Sequence, residues 1–346
     1  MGAAPLGSGH IHDTFAVGIR TPAGVRRAVL QRLNTRVFPD PEVLAGNLAV
    51  VTAHLRERLA RLGVRDLERR VLRPLESAEG GLLVWMPEGT VWRAFAYIEG
   101  TRSRSAVDGP ATAHEAARAF GEFARLLSDL PTSTLAEPLP RFHDLDHRLE
   151  QLRDAALRDP AGRLAEVRQD LDASLELAEG VAVRLREADV AGLPRRAVHN
   201  DCKLDNLLLD ERTDRALCVI DLDTVMPGTL LADFGELVRT ASSTAPEDEP
   251  VLDRVRPVPS HLRAIAEGFL AGIGDALDPR ERAALPLGGP LLALENAVRF
   301  LADHLEGDVY FRVHREGHNL DRHRAQRELA RALLASEAEL RRHLGT

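Results

Sequence analysis

Lysine is almost missing from this chain. Of 45 Lys and Arg residues among 346, one is lysine, Lys203, and every other positive side chain is arginine. Cysteine is nearly as scarce. Cys202 and Cys218 are too few for a disulfide framework, so a reduced, cytoplasmic setting is expected. Tyr97 and Tyr310 are the only tyrosines. No apolar run approaches the roughly 18 residues of a membrane span. The first residues carry neither the basic nor the apolar region of a secretory signal. A net charge of −8 without a long basic run argues against a nucleic-acid partner. No G-x-x-x-x-G-K occurs, which removes a Walker-type phosphate loop. No internal repeat is present.

What is there reads as a globular chain, 44% hydrophobic and 28% charged, long enough for a large core in two lobes. The lone lysine lies in His199-Asn200-Asp201-Cys202-Lys203-Leu204-Asp205-Asn206, which also holds two of the chain's six asparagines. An apolar strand follows at residues 207–209, then a short hairpin, then Cys218-Val219-Ile220-Asp221-Leu222-Asp223. Read together this is H-x-D-x-K-x-x-N, strand, turn, strand, Asp. Phosphoryl transfer needs a carboxylate to orient and deprotonate the attacking hydroxyl. It also needs oxygen ligands for a divalent cation on the triphosphate, and positive charge on the transferring group. Asp201 can be the first, Asn206 and Asp221 the second, and Lys203 the third. Lysine is a compact point charge where arginine is a planar fork, so its survival at this one position points to a role the fork cannot fill.

The chain divides into a sheet-forming start and a helical remainder. Residues 1–100 are expected to form an antiparallel sheet with one helix, and 101–346 a mainly helical lobe. Strands are expected at 14–19, 27–33, 70–75, 82–86 and 90–98. A glycine-rich turn, Gly7-Ser8-Gly9-His10, precedes the first of them. Such a turn lets backbone N–H groups approach phosphates. A helix is expected over 39–62, capped by Asp40 with Pro41 in its first turn, its apolar residues recurring at helical spacing from Leu44 to Leu59. Glu99-Gly100 breaks the pattern and marks the hinge. Further helices are expected at 112–130, 145–157, 163–188, 261–276, about 291–305, and 320–344.

On these motifs the chain resembles the aminoglycoside phosphotransferase and protein-kinase-like superfamily, and within it the N-acetylhexosamine 1-kinases. The catalytic loop and metal strand match at His199 to Asn206 and Val219 to Gly228. The opening Gly7 to His10 matches, as do Glu295-Asn296-Ala297-Val298-Arg299, Gly307 to Phe311 and Gly317 to Arg322. The resemblance implies an α+β, bilobal protein-kinase-like fold that uses ATP and Mg2+ on a small sugar, as a cytoplasmic monomer. It implies that Asp201 and Lys203 are catalytic and that Asn206 and Asp221 hold the metal. Gly7, Ser8, Gly9, Arg32 and the backbone at Glu99 would face the nucleotide. His10, Asp201, Arg299 and Tyr310 would face the sugar. His199 would pack against the metal strand and bond backbone carbonyls, and Asp233 would brace the catalytic loop through its N–H groups. The strand that usually carries a phosphate-binding lysine offers Gln31 and Arg32 instead.

Other readings stay open. Val219-Ile220-Asp221-Leu222-Asp223-Thr224 also looks like the nucleophile motif of haloacid-dehalogenase-like phosphatases, but those need a downstream lysine and none follows Lys203. His314 and His318 lie four apart, a zinc spacing on a helix, yet Gly317 argues against a helix there. Arg299 could form a structural ion pair with Asp303 or Glu295. An acceptor with several ammonium groups would need a cluster of acids, which Glu247-Asp248-Glu249 could supply. A nucleotide-binding pseudokinase is the non-enzyme alternative.

Overall fold

The computed structural model describes residues 2–7, 11–21 and 24–346. In chain order it opens with β1 (Ala3–Pro5), β2 (Asp13–Thr21), β3 (Gly24–Arg32), α1 (Pro41–Arg61), a one-turn α2 (Leu67–Arg70), β4 (Pro74–Leu75), β5 (Val84–Trp85), β6 (Val91–Ala96) and β7 (Thr101–Arg102). It continues through α3 (Pro110–Leu126), α4 (Leu145–Arg158), α5 (Leu164–Glu187), β8 (Arg196–Val198), β9 (Leu207–Asp210), β10 (Ala216–Val219) and β11 (Met226–Gly228). It closes with α6 (Leu230–Ala241), α7 (Pro259–Ile273), α8 (Pro279–Ala284), α9 (Gly288–Glu306), α10 (His318–Ala335) and α11 (Glu337–Leu344). The α+β class expected from the sequence is the class observed.

Two compact units are present. The first comprises Met1–Ser103, Leu126–Pro140 and Asn206–Pro227, and the second Arg104–Arg125, Arg141–Asp205 and Gly228–Thr346. The chain therefore passes from one to the other inside the catalytic motif, between Asp205 and Asn206. The sequence reading divides it once, at residue 100.

In the first unit β1-β2-β3-β6-β4 form an antiparallel sheet, with β5 also on β6. β6 alternates strictly, Val91, Arg93 and Phe95 buried and their neighbours half-buried, which is the signature of a strand with one covered face. α1 begins where Asp40 accepts N–H groups of Glu42 and Val43 at 3.2 Å, with Pro41 at its first position. Its expected stripe, Leu44, Leu48, Val51, Leu55 and Leu59, is buried. Leu33, Phe38, Leu44 and Val91 form a core cluster, with Leu139 packed against it. The strand expected at 70–75 is cut short. Residues 67–70 form one helical turn, and only Pro74 and Leu75 pair with β6. Proline has no N–H to give a ladder, which confines such a segment to a sheet edge.

In the second unit α9 is the central helix. Its residues from Gly288 to Leu305 are buried on nearly every side, and α4, α5, α6 and α10 surround it. A helix surrounded in this way is a core element, and its apolar residues fill most of its circumference. Close crossings are made by glycine. A Cβ on Gly272 would lie 2.1 Å from the carbonyl oxygen of Arg118, and one on Gly121 would lie 2.6 Å from that of Phe269, so α3 and α7 touch backbone to backbone. Among the described residues no helix is long and apolar enough to cross a membrane.

Since the obstacle at Gly272 is backbone, Gly272→Ala should cost about 2 kcal/mol or more of stability by overpacking. Gly46, exposed on α1 with open space around it, is the control, and Gly46→Ala should stabilise by about 0.5 kcal/mol. Urea denaturation of both variants checks this, and equal midpoints would contradict the crossing.

Candidate functional site

The loop expected to be catalytic follows β8 in the second unit. Asn200 holds a left-handed backbone, φ 64°, which asparagine tolerates better than most residues. That turn is fixed from below by Asp233 on α6. Its fully buried carboxylate accepts the N–H of His199 at 3.0 Å and of Asn200 at 2.7 Å. Burial lifts the Asp233 carboxyl above its ordinary range, against the opposing pull of His199 and these N–H groups. His199 is itself buried. Phe120 and Phe123 of α3 meet its ring edge-on at 5.4 and 5.5 Å, and its Nδ1 accepts the Asp201 N–H at 3.3 Å. Gly228 lies close underneath. A Cβ there would come within 2.5 Å of Val198 Cγ2, so a larger residue would displace the strand that delivers the loop.

Asp201 is half-buried, and the sole lysine, Lys203, places Nζ 2.8 Å from its Oδ2. A carboxylate and a point cation thus share one turn. Cys202 between them is fully buried, and burial first, then the nearby Asp233, pushes its thiol well above its usual pKa. Cys218 is likewise pushed up to about 12 by burial. Both are packing side chains, not reactive thiols.

In the first unit the hairpin β9–β10 pairs Leu207 with Val219, and one step further the Ile220 N–H donates to the Asn206 carbonyl at 2.9 Å. This register brings Asn206 and Asp221 to the same end of two adjacent strands. Asp221 has φ 59° and starts a 3-10 turn through Thr224. An amide oxygen and a carboxylate are hard oxygen donors suited to Mg2+, which takes few protein ligands and completes its shell with water and phosphate. The neighbouring Asp223 is engaged otherwise. Arg93 forks onto both its oxygens at 2.5 and 2.6 Å, and His12 Nε2 lies 2.7 Å away. Burial alone would raise this carboxyl, but Arg93 and His12 outweigh it and hold it far below the usual carboxylate range.

The other expected nucleotide residues sit in the same unit. Gln31 and Arg32 point to opposite faces of β3. Gln31 Oε1 accepts from Arg93 Nε at 2.9 Å, and its Nε2 donates to Thr14 Oγ1 at 3.0 Å. Arg32 is tied to Asp13 on the exposed face, Nε to Oδ2 2.7 Å. The buried cation of this sheet is therefore Arg93, which the sequence reading passed over. Its alternation in phase with Val91 and Phe95 was the available signal. Glu99 pairs with Arg27, which stacks over Tyr97 at 3.9 Å, and Gly100 turns with φ 66°. Gly7 has φ 76°, a backbone that favours glycine. Ser8, Gly9 and His10 lie outside the described residues.

Of the expected acceptor residues, Arg299 and Tyr310 are on α9 and the loop after it, in the second unit. Glu295, Arg299 and Asp303 recur every four residues and so share one face. Asp303 accepts three consecutive backbone N–H groups, Val309 at 3.0 Å, Tyr310 at 2.7 Å and Phe311 at 2.9 Å, and also Asn319 Nδ2 at 2.8 Å. This fixes the loop that carries Tyr310, whose side chain is exposed. Glu295 gives Oε2 to His143 Nδ1 at 2.9 Å, and His143 Nε2 reaches the Asn200 carbonyl at 2.9 Å. Burial disfavours charge on His143, but the hydrogen bond and charge of Glu295 prevail and raise its pKa. With both nitrogens donating, His143 ties α9 to the residue before Asp201. Neither acid pairs with Arg299, so the ion pair considered from sequence is not formed. Its guanidinium faces Phe142, Tyr310 and Phe311 at 5.7, 5.8 and 5.2 Å.

His318 caps no zinc site. It starts α10 and bonds Asp248 at 3.1 Å. Among the described residues no cluster of three or more His, Cys, Asp or Glu has a metal-binding arrangement.

Solved proteins share the fold, among them the following three. An aminoglycoside phosphotransferase from Alicyclobacillus acidocaldarius is 14% identical with a TM-score of 0.62, covering 99% of this chain and 92% of that one. A microcompartment-associated aminopropanol kinase is 16% identical with a TM-score of 0.64, covering 97% and 93%. An amicoumacin kinase in complex with AMP-PNP, Ca2+ and Ami is 13% identical with a TM-score of 0.60, covering 95% and 88%. The sequence itself matches the phosphotransferase enzyme family (APH) over residues 2–285, and the chain belongs to that family.

Proposed function

We propose that this chain is an ATP- and Mg2+-dependent kinase that phosphorylates the anomeric hydroxyl of an N-acetylhexosamine. Asp201 orients that hydroxyl and accepts its proton as the oxygen attacks the terminal phosphorus and ADP leaves. Asn206 and Asp221 would hold Mg2+, which supplies charge neutralisation on the phosphates. Lys203, whose Nζ lies 2.8 Å from Asp201 Oδ2, would add positive charge on the transferring group. A nucleotide and a divalent cation accompany the amicoumacin kinase, which supports the same pair of cofactors here. The acceptor is a small molecule, and the chain is expected to work as a monomer in the cytoplasm.

The observation that carries the sugar reading is Arg299. It offers guanidinium donors without a carboxylate partner among the described residues, beside the exposed, apolar face of Tyr310. Donors for ring oxygens next to an aromatic plate suit a sugar. The solved neighbours favour a second reading, an acceptor bearing amines. That would need acids to meet ammonium groups, and the candidates are already engaged. Glu247 holds Arg239 at 2.9 Å, Asp248 holds Arg315 at 3.0 Å and His318, and Glu249 accepts the Val251 N–H at 2.9 Å.

ADP release with ATP and Mg2+ should appear with N-acetylglucosamine or N-acetylgalactosamine and vanish with their methyl glycosides. Turnover on kanamycin or choline alone would contradict the sugar reading. Lys203→Arg should lower kcat about tenfold or more, since a fork cannot reproduce the ammonium's contact with Asp201. Unchanged kcat would reject the inference from the single lysine.

A further inference from the structure

Arginine is the default cation of this chain, and in the second unit its half-buried arginines are neutralised. Arg163 holds Asp308 at 2.6 Å, Arg196 holds Glu281 at 2.6 Å, Arg239 holds Glu236 at 2.5 Å, and Arg324 holds Asp170 at 2.8 Å. Arg282 donates instead to the Leu344 carbonyl, and two further exceptions lie together. Arg148 on α4 and Arg299 on α9 both lie over the ring of Phe142, at 6.0 and 5.7 Å. Among the described residues neither has a carboxylate partner. Arg148 donates only to neutral oxygens, Gln151 Oε1 at 2.9 Å and the Phe142 carbonyl at 2.7 Å, and its buried Nε has no partner. Burial, and then the charge of Arg299, pull the Arg148 pKa down, so the two cations repel one another. The acids acting on Arg148 are Glu295 and then Asp144, and both are engaged, Glu295 with His143 at 2.9 Å and Asp144 with Arg141 at 2.6 Å. Two positive charges are left over beside the exposed ring of Tyr310.

We infer that Arg148 and Arg299 form a subsite for an anionic oxygen group, a carboxylate or a phosphate ester, carried by the sugar acceptor. The inference rests on the acceptor being a hexose and narrows it to an acidic one. An anion here would relieve the repulsion, with charge-assisted hydrogen bonds that a neutral hydroxyl makes more weakly. The same pair repels an ammonium group, so amine-bearing acceptors are disfavoured by charge as well as by the engagement of Glu247, Asp248 and Glu249. Arg148 lies outside every motif that the sequence singles out.

Isothermal titration calorimetry separates the possibilities. The ligands are N-acetylglucosamine, N-acetylglucosamine 6-phosphate, glucuronic acid, glucose and inorganic phosphate. At least one anionic sugar should bind about tenfold tighter than its neutral counterpart at low salt, with the margin shrinking as salt is raised. In Arg148→Gln that ratio should fall to within about twofold of unity, and Arg148→Lys should retain part of it. Which anionic sugar prevails distinguishes phosphate from carboxylate. Equal affinity for acidic and neutral sugars overturns the inference, as does an equal loss in Arg148→Gln and Arg148→Lys. Arg148-dependent binding of inorganic phosphate without any sugar binding also overturns it. Failure of the kinase reading shows separately, as Arg148-dependent binding of an acidic sugar with no ADP release on any sugar.

Discussion

The second unit's chemistry depends on one buried carboxylate. Asp233 accepts two successive N–H groups, His199 and Asn200, and thereby holds Asn200 in a left-handed turn that an L-residue adopts only at a cost. Every later feature of the loop follows. The turn sets Asp201 one residue on, lets its N–H reach His199, and brings Lys203 back to its carboxylate. The acid has no cation forked onto it as Asp223 has, and burial lifts its pKa, so its hydrogen bonds to main chain do the holding. The glycine at 228 is the complementary constraint, since no side chain fits against Val198.

A second organising element is α9. Its four-residue recurrence of Glu295, Arg299 and Asp303 converts a buried helix into a ruler. Glu295 reaches back to the catalytic loop through His143, Arg299 is held out over aromatic rings, and Asp303 gathers the loop that presents Tyr310. Arg299, Tyr310 and the loop that carries Asp201 are thus tied within one unit. The first unit has its own buried ionic centre, Arg93 and His12 on Asp223, two residues from Asp221. A buried pair of this kind is costly to break from one side, because the remaining charge is left without its counter-ion. Its placement makes Asp223 a support for the turn that carries Asp221 and leaves Asp221 as the exposed carboxylate of the pair.

What was legible in the sequence follows periodicity and local chemistry. The helix from Pro41 announced itself by Asp40, Pro41 and five apolar residues at helical spacing, because capping and amphipathicity are local. The β9–β10 hairpin and the loop before it were legible from the apolar run after Asn206 and the conjunction of residue types. Short strands were not, because Pro74 and a helical turn at residues 67–70 override an apolar pattern. Arg93 could have been found, since an arginine in phase with buried Val91 and Phe95 must have a partner. The partners themselves could not. Asp223 lies 130 residues from Arg93 and Glu295 lies 152 from His143, and nothing in one sequence pairs such positions. Arg148 shows the same limit from the other side. On α4 it reads as a solvated charge, and only its place beside Arg299 and Phe142 distinguishes it.

The most direct test is the chemical step in Asp201→Asn, measured as single-turnover phosphoryl transfer alongside nucleotide affinity. The proposed function gives Asp201 the proton and gives the nucleotide to other residues. Affinity should stay within about twofold while transfer falls about 100-fold or more, as for removal of a positioned general base. Near-normal transfer in that variant would contradict the assignment of Asp201, and with it the reading of the whole catalytic loop.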